Sequence, residues 1–483
     1  MFIMKQIYNP YLPMGEYVPD GEPHVFGDRV YLYGSHDKFG SFFYCNNDYV
    51  LYSAPITDLT QWKCHGVIYH KNDDPWNAKG RSQLWAPDVQ KGVDGRFYLY
   101  YCCAFKPWIG VAVSSSPAGP FHYYGHVHYE DGIAFGQKEN DAAPFDPAVL
   151  TDADGHVYLY TGFGPVGNFP IPGKLQHDGC YCVELETDMV TIKRKPELIV
   201  PDVHHSAGSG FEGHEFYEAS SIRRFGDKYY FVYSSINGHE LCYATSNHPD
   251  RGFVYRGILI SNGDIGFEGR KAEDAVYYTA NNHGGIEAID GKYYIFYHRQ
   301  TNFCQTARQG CAEELTQSSD GLFRQAEMTS CGLNGRVLDG SGTYPAYIAC
   351  ALSSKDGCVS YPFLRPAFLR PGNHPYITQK EKDGEVDACQ FITNLCNGST
   401  VGYKYFDFSQ TKSIQLKISG KAEGYIEILS KINGLPIAKV PITKGANCRI
   451  LKSALHISGK RSALYFRMQG KGRINLYAFF LGG

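Results

Sequence analysis

A chain of 483 residues with 43% hydrophobic and 20% charged side chains has ample material for a core, which excludes a disordered protein. Its 46 basic and 49 acidic residues leave a net charge of −3 with no block of one sign, so no nucleic-acid partner is expected. No apolar run approaches the roughly 20 residues that cross a bilayer, so no membrane partner is expected either. The opening Met1 to Pro10 carries one Lys and no apolar segment of signal-peptide length, and the 15 cysteines form no repeated C-x-x-C pairs. The expectation is a cytoplasmic protein with reduced thiols rather than a zinc or disulfide framework.

In chain order, one hairpin signature recurs five times. The copies are Gly27-Asp28-Arg29-Val30-Tyr31, Asp94-Gly95-Arg96-Phe97-Tyr98, Asp154-Gly155-His156-Val157-Tyr158, Gly226-Asp227-Lys228-Tyr229-Tyr230 and Asp290-Gly291-Lys292-Tyr293-Tyr294. Each is a two-residue turn feeding a strand rich in aromatic and β-branched residues. Tyr31, Tyr98, Tyr158, Tyr230 and Tyr294 are separated by 67, 60, 72 and 64 residues. A period of about 65 residues suits a four-stranded propeller blade with elaborated loops. The fold expected is all-β, with a five-bladed β-propeller over residues 1–340.

After residue 340 the repeat is lost. Val401–Phe406, Ser413–Ile418, Gly424–Leu429 and Ala463–Met468 read as short alternating strands with turns between them. Residues 341–483 are therefore expected to form a β-sandwich, with Lys355 to Glu385 as an irregular bridge.

The first strand of each propeller blade lines the central channel. Counting back from the five tyrosines, Asp20, Asp88, Asp146, Glu218 and His283 lie 11, 10, 12, 12 and 11 residues upstream. Four acids and an imidazole at matching offsets would converge on one axis. Gathering acids is costly, since each charge disfavours ionisation of the next, so the set points to a functional site. Pro, aromatic and small neighbours (Pro87-Asp88, Phe145-Asp146-Pro147, Tyr217-Glu218-Ala219) supply the apolar walls that raise a carboxyl pKa towards the working range of a general acid. Carboxylates flanking a pocket are what hydrolysis of a glycosidic bond requires. Trp85, Phe163, Asp88, Arg299 and His36 are candidates to hold the sugar, although Trp85 and Phe163 would serve equally as core and Arg299 as a surface ion pair.

These residues resemble glycoside hydrolase family 43, inverting enzymes on a five-bladed propeller. The resemblance covers residues 1 to about 335. Asp20, upstream of Val30-Tyr31-Leu32-Tyr33-Gly34-Ser35-His36-Asp37, matches the family's opening motif and is implied to be the general base. Gly21 stands where the family has Pro, and Glu22-Pro23 follows, so the spacing selects Asp20 over Glu22. Phe145-Asp146-Pro147-Ala148-Val149 implies that Asp146 raises and orients the acid, and Phe216-Tyr217-Glu218-Ala219-Ser220-Ser221 implies Glu218 as that acid. Asn281-Asn282-His283-Gly284 is similar to a segment whose histidine helps hold a Ca2+ ion or water at the channel centre. Residues 401–408 are similar to a family 6 carbohydrate-binding module.

The reading is an exo-acting glycosidase that releases terminal pentose from arabinoxylan-derived oligosaccharides. The resemblance supplies the pentose, with α-L-arabinofuranosidase placed ahead of β-xylosidase. A non-catalytic glycan-binding propeller is the alternative from another class, and it would require every acid to be satisfied by protein partners. A propeller serving as a protein-interaction platform would not need acids at the inner position.

Overall fold

The computed structural model describes residues 6–165, 174–362, 371–385 and 388–483. Each hairpin signature forms its turn and opens the second strand of an antiparallel sheet. These strands are Arg29–Tyr33, Phe97–Cys103, Val157–Phe163, Lys228–Ser235 and Lys292–Gln300. Positive φ angles at Gly27, Gly95, Gly155, Gly226 and Gly291 explain why glycine recurs in these turns. Four sheets have four strands in sequential order, and the fifth has three, Ile286–Ile289, Lys292–Gln300 and Arg308–Leu315.

The first strands of the sheets are Glu22–Phe26, Leu84–Lys91, Ala148–Thr151, Phe216–Phe225 and Ile286–Ile289. Each packs on the next and the last packs on the first, closing a ring of five blades. A bridge between Gly21 and Gly284 lies at the seam. Buried tyrosines and β-branched residues fill the spaces between blades, as with Tyr98, Tyr100, Val149 and Val157.

Beyond the propeller, two six-stranded sheets form the second β domain. Thr400–Asp407, Ala422–Leu429 and Ser462–Gly472 belong to one, and Ser413–Ser419 and Ile474–Gly482 to the other. The stretch expected as an irregular bridge is partly regular. Tyr376–Gln379 pairs with Gln390–Leu395 in a hairpin of the second sheet, while residues 363–370 of that stretch lie outside the described set. The two domains share one apolar core, in which Tyr277, Tyr297 and Phe303 of the propeller pack with Tyr347, Tyr361 and Tyr403. All 15 cysteines are free, and most are buried. No described helix is long and apolar enough to cross a membrane.

Candidate active site

The register of each blade decides which residues reach the pocket. Strand two pairs back on strand one, and Glu218 lies opposite Ser234, four residues past Tyr230. In the second blade the residue opposite Cys102, four past Tyr98, is Trp85 and not Asp88. A bulge at Ala86-Pro87 separates the two, with Ala86 at φ 34, so Asp88 drops one rung deeper, opposite Tyr100. A second rung therefore exists two residues past each tyrosine, made of Glu22, Asp88, Ala148 and Ser221. Gly285 completes it because no side chain fits: a Cβ there would lie 2.5 Å from Ser221 Oγ and 2.6 Å from Glu22 Oε2.

The upper rung opens into a pocket of about 700 Å3, mouth included, at the top of the channel. Asp20, Trp85, Asp146, Glu218 and His283 line its floor, with Arg308 and Cys45 beside Asp20. Tyr44, Phe105, Phe145, Phe163 and Tyr217 supply aromatic walls, and Asn281 and Gln305 supply polar ones. Asp20 (φ 55) and Asp146 (φ 45) occupy the left-handed region, a strained backbone that turns each carboxylate into the pocket.

The carboxylates differ in their partners. Arg308 Nη1 donates to Asp20 Oδ1 at 2.7 Å, and His298 Nδ1 lies 3.3 Å from the same oxygen. Burial pushes Asp20 towards its neutral form, but Arg308, His298 and His283 outweigh it and hold the carboxyl well below the usual range. The Glu218 carboxyl makes no hydrogen bond to a described residue. Burial, then the charge of Asp20, push its pKa up to about 7. Burial, then Glu218 and Asp20, raise Asp146 as well, against the Ala219 N–H, which donates to it at 3.1 Å. Asp146 and Glu218 are thus both pushed towards the protonated form, beside Asp20, which is held ionised.

Three residues expected at the sugar lie elsewhere. Asp88 is fully buried beneath the floor, 2.5 Å from His24 Nε2, and accepts the Val149 N–H at 2.8 Å. Arg299 points away from the channel and donates to the carbonyls of Ala349 and Tyr347, both at 2.6 Å, joining the fifth blade to the second domain. Alternation along a strand explains this, since His298 and Gln300 take the opposite face. His36 is outside the pocket, with Nδ1 2.9 Å from the Asp48 carbonyl.

The reading of residue types passed over Arg308, Asp37, Tyr44, Cys45, Gln305 and His298. Arg308 begins the third strand of its blade, where no repeat marks the position. Fully buried Asp37 binds it at Nε (2.9 Å), Nη2 (3.0 Å) and the backbone N–H (3.0 Å). The string His36-Asp37 was visible, but nothing in it indicates a distant arginine.

Calcium takes six to eight oxygen ligands. Here His283 offers nitrogen, and its Nδ1 faces Asp146 Oδ2 at 3.5 Å. Burial lowers the His283 pKa to about 4, so its ring is neutral. Asp20 is engaged by Arg308, Asp88 by His24, and Glu22 Oε2 by Ser221 and Arg223, each at 3.0 Å. Among the described residues, Glu22 Oε1 is the buried carboxylate oxygen near this axis left without a partner. Two guanidinium groups already engage these acids, so a Ca2+ ion held at His283 would take most of its oxygen ligands from water.

Residues 15–323 match the sequence model described as glycosyl hydrolases family 43. The chain belongs to that family. Over 478 residues, 99% of each chain, this family 43 glycoside hydrolase is 47% identical to a xylosidase/arabinosidase of Thermoclostridium stercorarium. It is 26% identical to a family 43 enzyme of Xanthomonas citri solved with xylose, at a TM-score of 0.51 over 67% of this chain and 93% of that one. A Bacillus subtilis arabinoxylan arabinofuranohydrolase solved with cellotetraose covers 98% of this chain and 97% of its own, at 20% identity and a TM-score of 0.50. That last likeness extends the shared fold across both domains.

Proposed function

We propose that this family 43 chain is an exo-acting, inverting glycosidase that releases terminal pentose from arabinoxylan-derived oligosaccharides, with Asp20 as base, Glu218 as acid and Asp146 as its modulator. The observation that carries the mechanism is the asymmetry within one pocket: Arg308 pairs with Asp20 at 2.7 Å, whereas among the described residues no Lys or Arg pairs with Glu218 or Asp146, whose carboxyl pKa values are raised by burial and by neighbouring acids. Asp20 takes a proton from water, which attacks the anomeric carbon from the face opposite the leaving group. Glu218 gives its proton to the leaving oxygen, and Asp146, anchored on the Ala219 N–H, sustains the acid's raised pKa. The aromatic walls enclose one sugar ring.

The sugar is drawn from the relatives. The name xylosidase/arabinosidase covers both sugars; curated relatives named arabinoxylan arabinofuranohydrolase support α-L-arabinofuranosidase, and xylose bound in the Xanthomonas enzyme supports β-xylosidase as the second reading. Hydrolysis of 4-nitrophenyl α-L-arabinofuranoside and β-D-xylopyranoside by wild type and Glu218→Ala tests both. Cleavage of either by wild type and its loss in the variant are expected, and no turnover by folded wild type sinks the pentosidase reading. The first-formed sugar, followed by NMR, is expected to have the opposite anomeric configuration to the substrate; retained configuration defeats the inverting mechanism.

The free cysteines support a reducing compartment, hence cytoplasmic action on short imported oligosaccharides. Recovery of the protein from culture supernatant rather than the cell fraction overturns that part.

A further inference from the structure

The hairpin Tyr376–Leu395 belongs to the second domain, yet its polar groups are spent on the propeller segments that build the pocket. Gln379 Oε1 accepts the Tyr17 hydroxyl at 2.6 Å, and Gln390 Nε2 donates to that hydroxyl at 2.9 Å, three residues before Asp20. Asn302 N–H donates to the Ile377 carbonyl at 2.7 Å and Gln309 Nε2 to Gln390 Oε1 at 3.0 Å, on either side of Gln305 and Arg308. At the hairpin turn, Asp383 places both carboxylate oxygens on one loop: Oδ1 accepts the Phe39 N–H at 2.7 Å and Oδ2 the Asn47 side-chain amide at 3.0 Å.

That loop runs between two strands of the first blade and carries Asp37, Tyr44 and Cys45. It has no regular structure, and its tip exposes Phe42 and Phe43. Asn47 Nδ2 also donates to the Asp37 carbonyl at 3.1 Å, so one amide bridges Asp383 to Asp37. Asp37 Oδ1 accepts the Cys45 N–H, and the Asp37 carboxylate fixes Arg308, which holds Asp20. The connection from Asp383 to the base is thus an unbroken series of hydrogen bonds. Tyr44 rides on the same loop, over the Arg308 guanidinium at 4.6 Å and bonded to Gln305 at 2.5 Å.

We propose that this hairpin is a positioning element of the active site, and that Asp383 acts through Asn47, Asp37 and Arg308 to hold the base Asp20 in its working geometry. The second domain then completes the catalytic centre without touching substrate. The inference rests on the reading of Asp20 as base.

The test compares full-length wild type, Asp383→Ala, Asp383→Asn and Asn47→Ala on the 4-nitrophenyl pentoside that wild type cleaves, recording kcat, KM, pH profile and Tm. A slackened loop misplaces Arg308, so Asp383→Ala is expected to lower kcat/KM by about ten- to a hundred-fold, mainly through kcat. Its acid limb should rise towards the ordinary carboxylate pKa of about 4, because a cation held less firmly favours the ionised form less. Asp383→Asn keeps an acceptor for the Phe39 N–H but turns an amide N–H towards the Asn47 donor, so the bridge is lost and its rate and acid limb should move as in Asn47→Ala. An unmoved acid limb with wild-type kcat/KM in Asp383→Ala, whatever its Tm, overturns the proposal. If Asp383→Ala does not fold, Asn47→Ala decides: it removes the bridge but leaves Phe39 on Asp383, and the same shift or its absence is read. Failure of the catalytic assignment is separately visible, as activity surviving Asp20→Ala.

Discussion

Glu218 and Asp20 line one pocket floor yet are pushed towards opposite protonation states, and the cause lies in what surrounds each. Glu218 has burial and a neighbouring anion, whereas Asp20 has Arg308 and His298. With a pKa of about 7 for the acid, kcat/KM is expected to fall as pH rises through that value, and the acid limb should lie below the ordinary carboxylate range. Glu218→Gln, which cannot lose a proton there, should abolish the alkaline limb and lower kcat by about a hundred- to ten-thousand-fold on an oligosaccharide. The loss should be smaller on a nitrophenyl glycoside, whose leaving group needs less protonation. A wild-type alkaline limb in the variant would remove Glu218 from the acid role. Asp20, Asp146 and Glu218 were legible because Pro or aromatic neighbours and matching offsets marked them. Arg308 was not, because its meaning depends on Asp37, 271 positions earlier in the chain.

Among the elements, the bulge in the second blade has the largest consequence for the site. Ala86 and Pro87 stand against one residue of the partner strand, and this slip exchanges Asp88 for Trp85 at the pocket floor. Counting along the sequence cannot detect it, since an extra residue in a strand changes register without changing composition. Arg299 shows the same sensitivity to alternation. Two of its three bonds reach carbonyls in Tyr347-Ala349, so Arg299→Ala leaves two buried carbonyl acceptors unpaired, at about 1–3 kcal/mol each. A lowered Tm is expected, with kcat/KM of the folded fraction close to wild type; a selective rise in KM without loss of Tm would return Arg299 to substrate binding.

At the scale of the whole molecule, propeller and second domain are joined by a continuous apolar core and by buried charge. Lys404, from the second domain, binds Asp264 and Glu327 at 2.8 Å each while almost fully buried. Calorimetry is expected to show one cooperative transition rather than two, because separating the domains would expose Tyr277, Phe303, Tyr347 and Tyr403 together. A chain ending at residue 340 should be insoluble for the same reason. Two well-separated transitions, or a soluble active propeller alone, would show that the shared core is dispensable.

The repeat of Asp-Gly and Gly-Asp turns before aromatic strands determined the blade number and the all-β class, because turn chemistry and period-two burial are local properties that survive in any context. The same local reading found three acids of the pocket. Tertiary structure alone decided which residue of each inner strand faces the sugar, since register depends on bulges and on the partner strand. It also decided that Asp20 is driven towards ionisation while Glu218 and Asp146 are driven towards the neutral form, because a pKa is set by the charges and burial around a group, and Arg308, held by Asp37, reaches Asp20 only when the ring of blades has closed.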